Sequence, residues 1–176
     1  MSSYKRIAEI FTLDVARSSG VDDYLPGPVP FVTSSELNNG VVAYVTPDVW
    51  DKVFEGPALC ISGLGNATVQ PSKFLPKGNG GDSLTVAIPT ADMSVSQLVA
   101  VAASFNSLHK WRFSYGRKCS KGRLIALELP IELPPVPATW ESEMSRAKVI
   151  AERVSVLRDT PAATPWQPGA GGAAHP

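Results

Sequence analysis

The sequence predicts an α+β protein, mostly β, with a few short helices and a coiled-coil-like helix near its C-terminal end. Short alternating or apolar runs recur between residues 11 and 88, separated by turn signals of Gly, Pro, Asn and Asp. One amphipathic helix is predicted at residues 94–112, and a second helical pattern spans residues 140–158. These three observations predict short strands accompanied by two longer helices.

The strands are predicted from β-type runs bounded by turn residues. A first short helix is expected at residues 4–11, where Ile7, Ile10 and Phe11 share one helical face. Prolines and glycines within residues 18–30 predict a loop. The pair Asn39-Gly40 predicts a turn, because both residue types tolerate positive φ. Strands are expected at residues 11–17, 29–33, 41–45, 57–62, 67–74, 84–88 and 124–131.

Both longer helices have an apolar stripe. Ser94 is a suitable N-cap for the first helix, which carries apolar residues at spacings of three and four. The second helix repeats apolar residues at coiled-coil spacing and must bury them against the domain or another helix. Its predicted contact residues are Trp140, Met144, Ala147, Ile150, Ala151, Val154 and Leu157.

Three parts are predicted along the chain. Residues 1–135 form the main domain, and residues 136–159 hold a proline-rich linker and the helix for dimerisation or partner binding. Residues 160–176 are rich in Pro, Ala and Gly and are expected to be a disordered tail.

Composition predicts a folded cytoplasmic protein. Apolar residues make up 44% of the chain, and no apolar run is long enough to span a membrane. The two cysteines, Cys60 and Cys119, are expected to be reduced, and neither has a neighbour at metal-ligand spacing. Cys60 lies in an apolar run and is expected to be buried.

A catalytic function is not indicated. The histidines are isolated, and the chain has neither a Gly-x-Ser-x-Gly nor a His-Glu-x-x-His motif. Gly63-Leu64-Gly65-Asn66 lacks the lysine of a phosphate loop and is better explained as a hairpin turn. We therefore expect a non-enzymatic protein without cofactor or metal.

Charge is distributed unevenly although the net charge is zero. Residues 93–127 contain six lysines and arginines and no Asp or Glu, whereas the remainder has ten basic and sixteen acidic residues. Such a block is either a solvated basic face or the contact site for an anionic partner. Aromatic residues at positions 111, 113 and 115 alternate with polar ones, although we expect Trp111 and Phe113 to pack in the core.

Polar, aromatic and basic residues on the predicted loops suit duplex DNA. Asn and Gln pair with adenine, Arg and Lys with guanine, and Ser, Thr and Lys hold phosphates. The predicted DNA-binding residues are Ser34, Ser35, Asn38, Asn39, Tyr44, Asn66, Thr68, Gln70, Lys73, Lys110, Arg112, Ser114, Tyr115, Arg117, Lys118 and Lys121.

The order of these segments resembles the target recognition domain of type I restriction specificity subunits (HsdS) and of related bifunctional type II enzymes. The resemblance covers residues 4–135. It is carried by YKRIAEIF at 4–11, VPFVTSS at 29–35 with NNGV at 38–41, ISGLGN at 61–66 leading to QPSKF at 70–74, FSYGRK at 113–118, and residues 124–130 ending in Leu-Pro. Thr68-Val69 departs from the aromatics that relatives often place there.

The resemblance implies a non-catalytic domain that reads the DNA major groove through loops. It also implies a following helix that packs against its counterpart and helps hold methyltransferase subunits, with a restriction subunit as a further partner. Full specificity subunits have two recognition domains and longer helices. This chain is therefore expected to be a half-subunit acting as a homodimer, a stand-alone binder or a relic. The alternative is an interaction or decoy protein that binds a restriction-methylation complex without reading DNA.

Overall fold

The computed structural model describes residues 4–130 and, beyond them, Ser145, Arg146 and Val149. Residues 4–130 belong to a compact unit, Met1–Val136, and the other three to a second, Pro137–Pro176. The linker and tail lie outside the described residues, and so does the predicted partner helix apart from those three helical positions. The predicted three-part domain division stays a prediction.

Nine strands and three helices occur within residues 4–130. The helices are α1 (Ile7–Ile10), α2 (Val95–His109) and α3 (Lys121–Leu124). The strands are β1 (Tyr4–Arg6), β2 (Phe11–Val15), β3 (Pro26–Val32), β4 (Val41–Val45), β5 (Ala58–Ile61), β6 (Ala67–Gln70), β7 (Leu75–Pro76), β8 (Thr85–Pro89) and β9 (Glu128–Pro130). This arrangement confirms the predicted α+β class, mostly β with short helices.

A four-stranded antiparallel sheet, in the order β2-β8-β5-β6, forms the middle of the unit. Side chains alternate across it because successive residues of a strand point to opposite faces. Leu59 and Ile61 on β5 pack with the buried stripe of α2, whereas Ala58 and Cys60 pack on the other face. Both faces of this sheet are therefore covered, and Cys60 is buried as predicted.

The second sheet is three-stranded, in the order β4-β3-β7, with β3 and β7 parallel. Val32 on β3 and Phe74, which precedes β7, pack against the face of the four-stranded sheet that carries Cys60. A third apolar cluster includes Phe31, Val45 and Leu75 within the three-stranded sheet. The layers are therefore α2, the four-stranded sheet and the three-stranded sheet.

Helix α2 begins where the sequence predicts. The Ser94 hydroxyl accepts a hydrogen bond from the Gln97 N–H, and the Gln97 side chain accepts one from the Ser94 N–H, which forms a capping box. Of the five residues in the predicted stripe, Leu108 is 37% exposed, and the other four are buried, namely Leu98, Val101, Ala102 and Phe105. This stripe closes the main apolar cluster over β5 and β6.

Four predicted segments differ from the structure. The strand expected at residues 67–74 ends at Gln70, where β6 ends. The helix expected at residues 4–11 is split, because β1 pairs with β9 and only α1 is helical. The loop expected at residues 18–30 ends early, since Pro26–Val32 form β3 with a bulge that accommodates the prolines. The strand expected at residues 124–131 is only β9, because the preceding residues belong to α3 and a turn that buries Leu124.

Candidate nucleic-acid interface

Residues 110–123, here called the basic segment, follow α2 directly. They comprise a 3-10 turn at Lys110–Arg112, a tight turn between Ser114 and Arg117, and the start of α3. Ser114 and Arg117 exchange two backbone hydrogen bonds of 3.2 and 3.0 Å. Because Tyr115 is at the tip of this turn, it is 79% exposed.

One end of the basic segment is attached to the loop that precedes β4. The Lys110 ammonium donates to Glu36 Oε1 at 2.7 Å. In this loop, residues 33–40, Asn38 and Asn39 adopt positive φ, as the turn prediction requires. The predicted contact residues Ser34 and Ser35 belong to this loop. The ion pair therefore attaches the loop that carries them to the end of α2.

The middle of the basic segment packs on the turn between β5 and β6. The Cys119 N–H donates to the Gly63 carbonyl at 2.7 Å. A Cβ atom at Gly65, where φ is +77°, would come within 2.4 Å of Phe113. The turn therefore needs glycine here for both backbone conformation and close approach. Asn66, a predicted base contact, lies in this same turn.

The third attachment joins the basic segment to the loop that precedes β8. The Lys118 ammonium donates to Asp82 Oδ1 at 2.7 Å and to the Gly81 carbonyl. Its hydrogen bond lowers the pKa of Asp82, although partial burial opposes the shift. Lys118, a predicted DNA contact, therefore joins the basic segment to the loop that precedes β8.

The structure does not favour the predicted contact of Gln70 with a base. Gln70 is only 2% exposed, and its Nε2 donates to the Asn39 carbonyl at 3.0 Å and to Thr68 Oγ1 at 3.2 Å. The Thr68 hydroxyl is half-buried and points to Cys60. Asn39 is exposed but donates its Nδ2 to the Val69 carbonyl. These amides hold the loop at residues 33–40 onto the edge strand β6.

Asn106 on α2 is a site residue that sequence reasoning missed. The Ala67 N–H donates to Asn106 Oδ1 at 2.7 Å, and Asn106 Nδ2 donates to the Ala67 carbonyl at 3.0 Å. The side-chain amide thus satisfies backbone groups of the edge strand beside the Gly63–Asn66 turn. A polar residue between the predicted stripe positions Phe105 and Leu108 was the only sequence signal.

Positive charge remains in the basic segment after these attachments. Among its cations, Lys110 and Lys118 form ion pairs. Within residues 4–130, the other four form no ion pair with a carboxylate, and these four are Arg112, Arg117, Lys121 and Arg123. A local excess of cations is therefore present beside the three loops.

The two aromatic residues expected in the core and the remaining predicted contact residues differ in placement. Trp111, at 75% exposure, has its Nε1 bonded to the Leu108 carbonyl and its ring under the Arg112 guanidinium. Its expected core packing is therefore wrong, whereas Phe113 does pack against the main apolar cluster. Lys73 pairs with Glu55 at 3.5 Å, and Tyr44 is exposed on the edge strand β4.

The part of the chain that the structure describes gives no sign of a metal centre or a membrane span. No group of three or more His, Cys, Asp or Glu side chains there is arranged to hold a metal ion. No helix among those residues combines the length and apolar character that crossing a membrane requires.

The pKa of the Cys119 thiol is raised to about 12 by burial.

No protein-family profile and no curated protein sequence matches the chain. Solved structures do. The type I restriction-modification S subunit of M. genitalium superposes with a TM-score of 0.58 over 90% of this chain at 13% identity. The HsdS subunit of Thermoanaerobacter tengcongensis gives 0.55 over 92% at 16% identity. A structure describing assembly and conformational transition of the type I R-M system gives 0.56 over 89% at 15% identity.

The chain has the fold of type I specificity subunits. The resemblance predicted from the sequence motifs is thereby confirmed at the level of the fold. The chain spans 44%, 40% and 40% of the three matched chains, so it corresponds to under half of each. At these identities, below one residue in five, the specificity subunits establish the fold, and individual contact residues must be argued from this chain's own geometry.

Proposed function

We propose that this protein recognises a specific sequence in double-stranded DNA as the non-catalytic specificity component of a restriction-modification or DNA methyltransferase system. One observation carries the proposal. The basic segment is attached to the loops at residues 33–40, 63–66 and 80–82 by an ion pair, a backbone hydrogen bond and a second ion pair. Polar loop residues and unpaired cations therefore belong to one connected structure.

The proposed contacts fall into two groups with different physical roles. Arg112, Arg117 and Lys121 are exposed cations suited to phosphates or guanine edges. Asn66 is an amide on an attached loop and suits adenine edges, whereas the Nδ2 of Asn38 donates to the Val41 carbonyl at 3.0 Å and leaves only the side-chain oxygen for a contact. The tip residues Ser114 and Tyr115, the loop residues Ser34 and Ser35, and the separate residues Tyr44 and Lys73 complete the proposed contact set.

A binding selection tests the proposal. The full chain is mixed with a randomised duplex pool, alone and with its methyltransferase subunit, and bound DNA is sequenced across a salt series. We expect an enriched motif and a linear fall of log K with log salt, because cations displace counterions from phosphates. Absence of binding both alone and in the complex contradicts the proposal.

Two substitutions separate base reading from phosphate binding. Asn66→Ala is expected to weaken binding to the selected motif by about 1–3 kcal/mol and to relax its sequence preference. Lys121→Ala is expected to weaken binding equally on all duplexes and to reduce the salt slope by about one. Asn79→Ala is the matched control, since Asn79 is an exposed amide outside the proposed contact set. The reverse pattern would exchange the assigned roles.

We further propose that the C-terminal helix binds the methyltransferase subunit or a second copy of the chain. Deletion of residues 138–176 is expected to abolish partner binding, measured by co-purification and solution mass, and to leave intrinsic DNA binding in place. Tight partner binding by a full chain without any DNA affinity would instead indicate a decoy protein.

A further inference from the structure

Three arginines of the basic segment line one cavity. Its volume is about 380 Å³, and its lining residues are Arg112, Phe113, Arg117, Gly122, Arg123, Ala126 and Leu127. The three guanidinium-bearing residues come from different local structures, namely the 3-10 turn, the tight turn and α3. We call this cavity the arginine cleft.

Among residues 4–130, no acidic residue lines the arginine cleft. Its other lining residues are apolar or glycine. Glu128 lines the neighbouring cavity together with Arg112, but within residues 4–130 no carboxylate forms an ion pair with any of the three arginines. Three like charges around one cavity create a positive potential that favours the binding of an anion.

Two of the arginines are also held in place. Arg123 Nη1 donates to the Lys118 carbonyl, and the Arg112 guanidinium lies 5.3 Å from the centre of the Trp111 ring. Side chains fixed in this way lose less conformational entropy when a ligand arrives. Lys118 is itself fastened to Asp82, so the geometry of the cleft is connected to the loop that precedes β8.

We propose that the arginine cleft is a phosphate-binding site that holds one backbone phosphate of the bound duplex. Guanidinium groups bind phosphate oxygens in two places at once, and several of them can enclose one phosphate. Phe113 and Leu127 provide an apolar wall suited to the adjoining deoxyribose. The site orients the duplex and supplies affinity that is independent of sequence. This inference rests on the proposed function.

The test compares Arg117→Gln, Arg123→Gln and the double variant with Arg17→Gln. Arg17 is an exposed arginine that lines neither cavity, so it controls for the loss of one charge. For the double variant we expect a loss of about tenfold or more on selected and unrelated duplexes alike, with a salt slope lower by about one. Circular dichroism and urea midpoints check that each variant folds.

Two results would overturn the inference, and they are distinguishable. If the wild-type protein binds DNA and the cleft variants match Arg17→Gln in affinity and salt slope, the cleft holds no DNA phosphate and the proposed function stands. If the wild-type protein binds no duplex alone or in complex, the proposed function fails and the duplex is excluded as the source of the phosphate. Titration with inorganic pyrophosphate, followed through arginine Nε–H NMR signals, then identifies whether a free phosphate ligand binds there.

Discussion

Asn106 provides the sharpest test of how the candidate interface is held together. Its side-chain amide exchanges two hydrogen bonds with the backbone of Ala67, at 2.7 and 3.0 Å. Ala67 is the first residue of the edge strand β6 and is 4% exposed. Replacing Asn106 with Ala removes both hydrogen bonds and leaves a buried N–H and a buried carbonyl without these partners.

The magnitude follows from the two orphaned groups. Each buried polar group left unsatisfied costs about 1–3 kcal/mol, which gives roughly 2–6 kcal/mol for the pair. Alanine is the better helix former by up to about 0.7 kcal/mol, and this gain offsets part of the loss. Because Asn106 itself is half-buried, water can reach part of the site. We therefore expect Asn106→Ala to lower the free energy of unfolding by about 2–4 kcal/mol.

Urea unfolding at neutral pH, followed by circular dichroism, measures this loss. Ser107→Ala is the matched control, because Ser107 is the next residue of α2 and is exposed. It should change stability by less than about 0.5 kcal/mol. Asn106→Asp keeps an acceptor but sets a carboxylate against the Ala67 carbonyl, so it should be at least as destabilising. If Asn106→Ala stays within 0.5 kcal/mol of the wild type, the two hydrogen bonds do not stabilise the edge strand.

Three further predictions follow from other buried features. In Gly65→Ala the new side chain sits at positive φ and close to Phe113, so the free energy of unfolding should fall by about 2–4 kcal/mol. Urea unfolding measures this loss, and a loss below about 0.5 kcal/mol contradicts the prediction. Burial lowers the pKa of His109 below 6.5, so the unfolded chain binds more protons in mild acid. Stability should therefore fall as pH drops below about 6.5, by at most about 1.4 kcal/mol per pH unit, and His109→Gln should remove this component. Burial raises the pKa of Cys119 to about 12 and that of Cys60 well above its ordinary value, so neither thiol should react with Ellman's reagent at pH 8 until urea unfolds the chain.

The strands that the sequence predicted best are those buried by simple alternation. In β5, Leu59 and Ile61 face α2 while Ala58 and Cys60 face the other sheet, so an apolar run of this length reads as a strand covered on both sides. Helix α2 was predictable because two local signals agree. The N-cap Ser94 marks its start, and the apolar stripe that begins soon after it marks the buried face. Local signals were sufficient wherever they agreed with each other.

The segments that were predicted wrongly depend on partners distant in sequence. β1 forms only because β9, more than a hundred residues later, pairs with it, and no local pattern contains that information. The alternation at residues 124–129 is typical of a strand. Leu124 and Leu129 do lie in the main cluster, but Leu124 is at the end of α3 and a turn, not a strand, follows it. Pairing between remote segments overrode the local pattern.

The candidate site could be predicted as a set of segments but not as a set of roles. The loop residues and the basic segment were identified from composition, and the structure connects them. Whether an amide is available for a base depends on its internal hydrogen bonds, and Gln70 and Asn39 use theirs to fasten a loop to β6. Local sequence cannot show which amides are used internally, because the Gln70–Asn39 hydrogen bond joins residues 31 positions apart.

The charges of the basic segment divide in a way that residue counting hides. Both lysines with acidic partners, Lys110 and Lys118, connect loops, whereas Arg112, Arg117 and Arg123 gather around one cavity without such partners. The ion pairs are more than a third exposed at their carboxylates, so each contributes only about 0.2–1 kcal/mol. Loss of Lys110 or Lys118 should therefore disturb loop positions with little effect on the salt slope, while loss of an arginine that lines the cavity should reduce the slope itself. A basic segment with this division both assembles the contact loops and retains the charge that attracts DNA to them.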